Sequence, residues 1–186
     1  MIGGRSPLLW RVALLALVLI AVGREPARAQ QNLEDAVKAT FLHRFGSFAD
    51  WPPGAFTDAA APLVVCVAGS ASFAHLVEER ARNQRIAERA IVVRNLAIVS
   101  PGTGCHILYI AYDSTQGIRD ALQATTGDPV LTVTDSQFGN VRGAIHFVLS
   151  DGRVRFHIDR RAAERNGVTL SSRLLSIALS VSGVNG

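Results

Sequence analysis

The apolar positions divide the chain into a leader and an ordered series of short helices and strands. Residues 12–22 (VALLALVLIAV) form an unbroken apolar run, preceded by Arg5 and Arg11 and followed by Ala27-Arg28-Ala29. The run is well short of the roughly 20 residues a membrane-spanning helix needs. A basic flank, a short apolar run and an A-x-A site predict a signal peptide over 1–29, cleaved before Gln30. Retention as a membrane anchor is the competing reading. Beyond the leader, Leu33, Val37, Phe41, Phe45 and Phe48 recur at helical steps and predict an amphipathic helix. Asn32 is its expected N-cap, with Glu34 and Asp35 in the favourable first turn. Trp51-Pro52-Pro53-Gly54 stops that helix near Asp50.

Short apolar runs follow at 63–68 (LVVCVA), 90–94 (AIVVR), 105–112 (CHILYIAY) and 130–134 (VLTVT). Helical patterns separate some of them, one capped by Ser70 or Ser72 and carrying Phe73, Leu76 and Val77, another over 115–124. Buried strands alternating with helices predict βαβ units and a parallel sheet. The pattern then changes. Residues 144–149 and 153–158 flank Asp151-Gly152, a hairpin signal, and Val154, Phe156 and Ile158 alternate with Arg153, Arg155 and His157. Helical signals close the chain at 162–165 and from about Ser171, the latter with Leu174, Leu175, Ala178 and Leu179 as its buried stripe. The expected fold is a single three-layer α/β domain over 30–186. Its mixed, mostly parallel sheet carries helices on both faces and ends in a C-terminal antiparallel hairpin.

Charge changes the picture only once the leader is set aside. The chain has 19 Lys+Arg and 15 Asp+Glu. The leader holds four arginines (Arg5, Arg11, Arg24, Arg28) and one acid (Glu25), so the remainder carries 15 basic and 14 acidic residues. No basic patch is concentrated enough to suggest a nucleic-acid partner. Lys38 is the only lysine, a bias that reads as base composition. Cys66 and Cys105 are the only cysteines. In an oxidising compartment such a pair reads as a disulfide, with two buried thiols as the alternative.

Candidate chemistry is sparse. His43, His75, His106, His146 and His157 show no metal-ligand spacing, and no G-x-S-x-G elbow occurs. No metal or cofactor is expected. Gly69-Ser70 follows a strand and opens a helix, so its amides could hold an anion; it lacks the Walker lysine and the G-x-G-x-x-G pattern, and a simple helix cap is the favoured reading. Asp135 ends a strand, where α/β ligands collect, and is also an ordinary turn residue there. Trp51 reads as a lid on the core or as an exposed anchor. Trp51, Phe138 and Arg155 are the candidates for partner contact. Gly69, Ser70 and Asp135 are the candidates for a ligand pocket.

Several segments in order resemble the YfiR family of periplasmic regulators. They are Val37-Lys38-Ala39-Thr40-Phe41-Leu42 with Phe45, Trp51-Pro52, and Pro62-Leu63-Val64-Val65-Cys66-Val67-Ala68-Gly69. Cys105-His106-Ile107-Leu108-Tyr109-Ile110 follows, then Val130-Leu131-Thr132-Val133-Thr134-Asp135 with Phe138, then 143–147 and Arg153-Val154-Arg155-Phe156. Ala162-Ala163 and Leu170-Ser171-Ser172-Arg173-Leu174-Leu175 close the series. The resemblance implies a periplasmic repressor, expected to be a homodimer, that binds the periplasmic part of an inner-membrane diguanylate cyclase. Such a protein keeps cyclic di-GMP low and restrains biofilm formation, and an outer-membrane lipoprotein can sequester it. Cys66 and Cys105 fall where the family carries a supporting disulfide. The chain lacks a second cysteine pair. The rival hypothesis is a periplasmic small-molecule binder, or an enzyme whose site is assembled in space from Asp135 and Gly69-Ser70.

Overall fold

The computed structural model describes residues 25–183. Most of the predicted leader, 1–24, lies outside them. Contacts separate an N-terminal unit ending at Glu34 from a body beginning at Asp35. In the first unit the chain is already helical, as the start of α1 (Glu25–Arg44), and the Gln30 side chain donates to Glu34 at 3.0 Å. Asn32 is therefore inside a helix and does not cap it.

In the body, α1 runs into a 3-10 turn (Phe45–Phe48) and β1 (Ala49–Asp50), then β2 (Leu63–Ala68) and α2 (Ala71–Ala81). A tight hairpin pairs β3 (Arg85–Ile86) with β4 (Arg89–Leu96). Next come β5 (Ile107–Ile110), α3 (Thr115–Ala124), β6 (Leu131–Asp135), β7 (Ile145–Ser150) and β8 (Arg153–Asp159). The chain continues through α4 (Arg160–Arg165), β9 (Thr169–Leu170), α5 (Ser172–Ile177) and β10 (Ser180–Ser182). Eight strands form one sheet in the order β10-β8-β7-β6-β5-β2-β4-β3. The five pairings from β4 through β2, β5 and β6 to β7, and from β8 to β10, are parallel; β7–β8 and β3–β4 are antiparallel.

Strand residues alternate between two cores, because successive side chains leave a strand on opposite faces. On one face Leu63, Val65, Val67, Tyr109, Val133 and Phe147 pack with Ala39 and Leu42 of α1, with Phe45 of the 3-10 turn and with Phe73, Ala74 and Val77 of α2. On the other, Cys66, Ala68, Leu108 and Ile110 pack with Ile118 and Ala121 of α3. That is the expected α/β architecture, with a mixed sheet between helices and an antiparallel hairpin. The helix starts follow the side-chain logic of capping: Ser70, Ser114, Asp159 and Ser171 each accept a backbone N–H from the first turn of α2, α3, α4 and α5. Asp151 and Gly152, both at positive φ, make the predicted turn of the β7–β8 hairpin.

Three features depart from expectation. The buried residues of α1 are Lys38, Ala39, Leu42 and His43, continued by Phe45 in the 3-10 turn, whereas Leu33 is 61% exposed. The last helix stops at Ile177, so Leu179 is not part of a helical stripe; its N–H bonds the Phe156 carbonyl and leads into β10. Two short strands, β1 and β9, pair antiparallel apart from the main sheet. At two residues each, they carry no periodic signal.

Gly69 ends β2 at φ +90°, and a Cβ there would lie 2.6 Å from the Ala111 carbonyl oxygen. Gly69→Ala is expected to lower stability by about 1–3 kcal/mol, read as a lower denaturant midpoint. An unchanged midpoint would contradict this turn.

Candidate functional site

The chain's only lysine sits on the buried face of α1, one turn before Leu42. Its Nζ lies 2.7 Å from Asp135 Oδ2, with side chains 5% and 1% exposed. Tyr109 donates its hydroxyl to the same oxygen at 2.9 Å, and the Gln137 N–H donates to Asp135 Oδ1 at 2.9 Å. Lys38 also reaches Gln137 Oε1 at 3.3 Å. A buried charge is costly unless paired and hydrogen-bonded, and every member here is both close and partnered. Burial, and then the neighbouring Asp135 carboxylate, push the Tyr109 hydroxyl well above its ordinary range, so it stays a neutral donor. The carboxylate is neutralised internally and its two oxygens are occupied. Chemically it is a brace joining α1 to the C-terminal ends of β5 and β6, not a base awaiting a substrate.

The second cluster lies at the other end of the strands. Cys66 of β2 is disulfide-bonded to Cys105 at the entrance to β5, with Cα atoms 5.8 Å apart. The next residue, His106, is fixed in one tautomer. Its Nδ1 accepts the Val64 N–H at 3.0 Å, so Nε2 carries the proton and donates to the Ala55 carbonyl at 3.1 Å. Phe56 stacks on the imidazole at 4.0 Å between centroids, and the Arg89 guanidinium lies 3.8 Å over the opposite side of that stack, against Phe56. Trp51 donates Nε1–H to the His106 carbonyl at 3.2 Å and meets Phe56 edge-on. The loop between β1 and β2 is thus clamped to the strand that the disulfide holds.

The remaining predicted residues fall in separate places. Ser70 caps α2, and Gly69 ends β2; Asp135 ends β6, and β5 lies between those strands. Two open cavities among the described residues are lined by none of Gly69, Ser70 and Asp135. One of about 620 Å³ lies between α2 and β4; one of about 450 Å³ lies beside Ile98, Val99 and Tyr112. Phe138 is half-buried and packs on both cores. Arg155 pairs with Val148, beyond the Asp135–Phe147 register, so it shares the Asp135 end of the sheet with Phe138. Trp51 is at the opposite end, and the three contact candidates do not form one patch. Sequence reading missed Lys38 as a site residue. The available signal was a lone lysine in register with Leu42 and Phe45.

Four histidines are held below their ordinary value of 6.5, in each case chiefly by burial: His43, His106, His146 and His157. His146, bonded to Thr134 Oγ1 at 2.8 Å and close to Arg142, is lowered to about 4.

Among the described residues no group of histidines, cysteines or acids could hold a metal ion, and no helix is long and apolar enough to cross a membrane. The class is a disulfide-linked α/β protein with its buried acid internally neutralised. The sequence profile of the YfiR/HmsC-like family matches residues 35–179, and the chain belongs to that family. At family level its members are periplasmic regulators of diguanylate cyclases and not enzymes. No curated protein sequence matches the chain.

Two predictions follow from these clusters. Lys38→Met leaves a buried carboxylate unpaired and should cost about 3–5 kcal/mol; Lys38→Met with Asp135→Asn should recover part of that loss in urea denaturation. Equal losses in single and double variants would remove the brace. For pH, the depressed histidines stabilise the fold fully above about 6.5. As pH falls the unfolded chain takes up protons first, and the stabilisation drains away towards about 4 for His146. The melting temperature should therefore fall with acidification, and less steeply in His146→Gln; parallel curves for the two proteins would contradict the assignment.

Proposed function

We propose that the protein is exported to the periplasm, where it binds the periplasmic domain of an inner-membrane diguanylate cyclase and holds that enzyme inactive. It thereby restrains cyclic di-GMP synthesis and biofilm formation. The observation that carries this reading is the match of residues 35–179 to the YfiR/HmsC-like family. The chemistry of the interior supports it. Asp135, the one fully buried acid among the described residues, is occupied by Lys38, Tyr109 and Gln137. The working parts of such a protein are its surfaces. Phe138 and Arg155, which share an end of the sheet, are the contact candidates for one face, and Trp51 for another. The working form is a homodimer, and sequestration by an outer-membrane lipoprotein lifts the repression.

The Cys66–Cys105 bridge closes a loop with a sequence separation of 39 residues. On chain-entropy grounds it stabilises the fold by up to about 4 kcal/mol. Reduction then lowers the folded population and releases the partner. An immobilised copy should retain the cyclase's periplasmic domain, Cys66→Ser should retain less, and deletion should raise cellular cyclic di-GMP. No retention together with unchanged cyclic di-GMP contradicts the reading.

The apolar cavity beside Ile98, Val99 and Tyr112, at the C-terminal ends of β4 and β5, favours a second reading as a small-molecule binder. A thermal-shift screen with small apolar compounds tests it; no stabilising compound would set it aside.

A further inference from the structure

Nearly all of the chain's positive charge is guanidinium, because Lys38 is its only lysine. A folded copy therefore carries a primary amine in two places, the Lys38 side chain and the α-amine of its first residue. Lys38 is already engaged. Its Nζ lies 2.7 Å from Asp135 Oδ2, its side chain is 5% exposed, and it also reaches Gln137 Oε1 at 3.3 Å. The first residue remains. Under the export reading that residue is Gln30, freed when the leader is cut after Ala27-Arg28-Ala29.

A glutamine at the first position carries its own electrophile, the side-chain amide carbon. An α-amine titrates near about 8, so at neutral pH a fraction of it is uncharged and nucleophilic. The Gln30 α-nitrogen attacks Cδ of the same side chain. A bond forms between the α-nitrogen and Cδ, the Cδ–Nε2 bond breaks, and Nε2 leaves as ammonia with a proton taken from the attacking nitrogen. The product is a neutral lactam, pyroglutamate, and the step needs no oxidant, reductant or second reactant. Gln30 is exposed, and its Nε2 donates to Glu34 Oε1 at 3.0 Å, a surface hydrogen bond of modest net strength. The backbone setting favours the product. Gln30 lies within α1 (Glu25–Arg44), so cutting after Ala29 puts the new terminus at the start of a helix. The peptide dipoles present their positive end there, where a carboxylate such as Glu34 is favoured and an ammonium is opposed. That opposition enlarges the uncharged, reactive fraction of the amine. Ring closure then removes the charge altogether, as acetylation of a terminus does.

We propose that the exported protein undergoes a second maturation step, cyclisation of Gln30 to pyroglutamate, and that its folded form then exposes no primary amine. Both amines are removed from solvent chemistry, one by a ring and the other by the Lys38–Asp135 contact. The folded product is inert to acylating reagents and to the carbonyl of reducing sugars, and it offers no free α-amine to an aminopeptidase. The inference rests on export and on cleavage before Gln30, which the same measurement reads separately.

The test uses protein recovered from the periplasm and held at neutral pH until its mass is constant. It is treated with an amine-reactive ester, folded in one sample and in urea in another, and its peptides are read by mass spectrometry. The N-terminal peptide should begin at residue 30, weigh one ammonia less than its sequence, and carry no label in either sample. Lys38 should take label in urea alone. Gln30→Ala leaves the Ala27-Arg28-Ala29 signal intact and restores the α-amine, so its terminus should be labelled in the folded protein. A peptide that begins at Gln30 with its full mass, or with label, would overturn the cyclisation and leave export standing. A chain that begins at another residue would overturn the processing and the proposal with it. Label on Lys38 in the folded protein would overturn the amine-free surface, and so would an unlabelled terminus in Gln30→Ala, which would show that something other than ring closure hides it.

Discussion

Lysine and aspartate meet inside this protein, 2.7 Å apart and almost wholly shielded from water, at the point where the first helix crosses the ends of the central strands. Much of the body is organised around that contact. It places Ala39, Leu42 and Phe45 over the sheet, where Phe45 stacks on Phe147 and meets Phe156 edge-on. It also decides what the strand ends can do. In an open α/β sheet the carboxyl ends of the strands are where ligands usually gather. Here the acid at that place is bound by the protein's own ammonium and phenol, which directs attention from chemistry to surfaces.

The opposite end is held by covalent means. The Cys66–Cys105 bridge joins two adjacent parallel strands, and His106 carries the restraint outward through Ala55, Phe56 and Trp51. One end of the sheet thus depends on a buried ion pair and the other on a bond that a reducing environment can break. Under the proposed function, reduction of that bond is the step that lowers the folded population and with it the hold on the partner.

Much of the architecture was legible in the order of short apolar runs. The strands read at 63–68 and 130–134, the Asp151-Gly152 turn, the Ser70 cap and the start of the last helix near Ser171 rest on local rules, and local rules suffice for them. What depended on distant partners was hidden. The Lys38–Asp135 contact spans 97 positions between a helix and a strand end, and no spacing announces it. Leu33, Leu179 and the two-residue strands β1 and β9 failed for a related reason: burial and pairing there are set by the tertiary surroundings, not by the period of the segment. Asp135 was singled out as a ligand candidate by its position, yet its neighbours determine its role.

Lys38 gives direct access to the central contact, because it is the only lysine in the chain. Acylation of the folded protein with an amine-reactive ester, read by mass spectrometry of the peptide containing Lys38, reports whether that ammonium is held by Asp135. The account predicts that Lys38 stays unmodified in the native protein and reacts readily once the protein is denatured. Modification of Lys38 in the native state at the rate of a free lysine would contradict it.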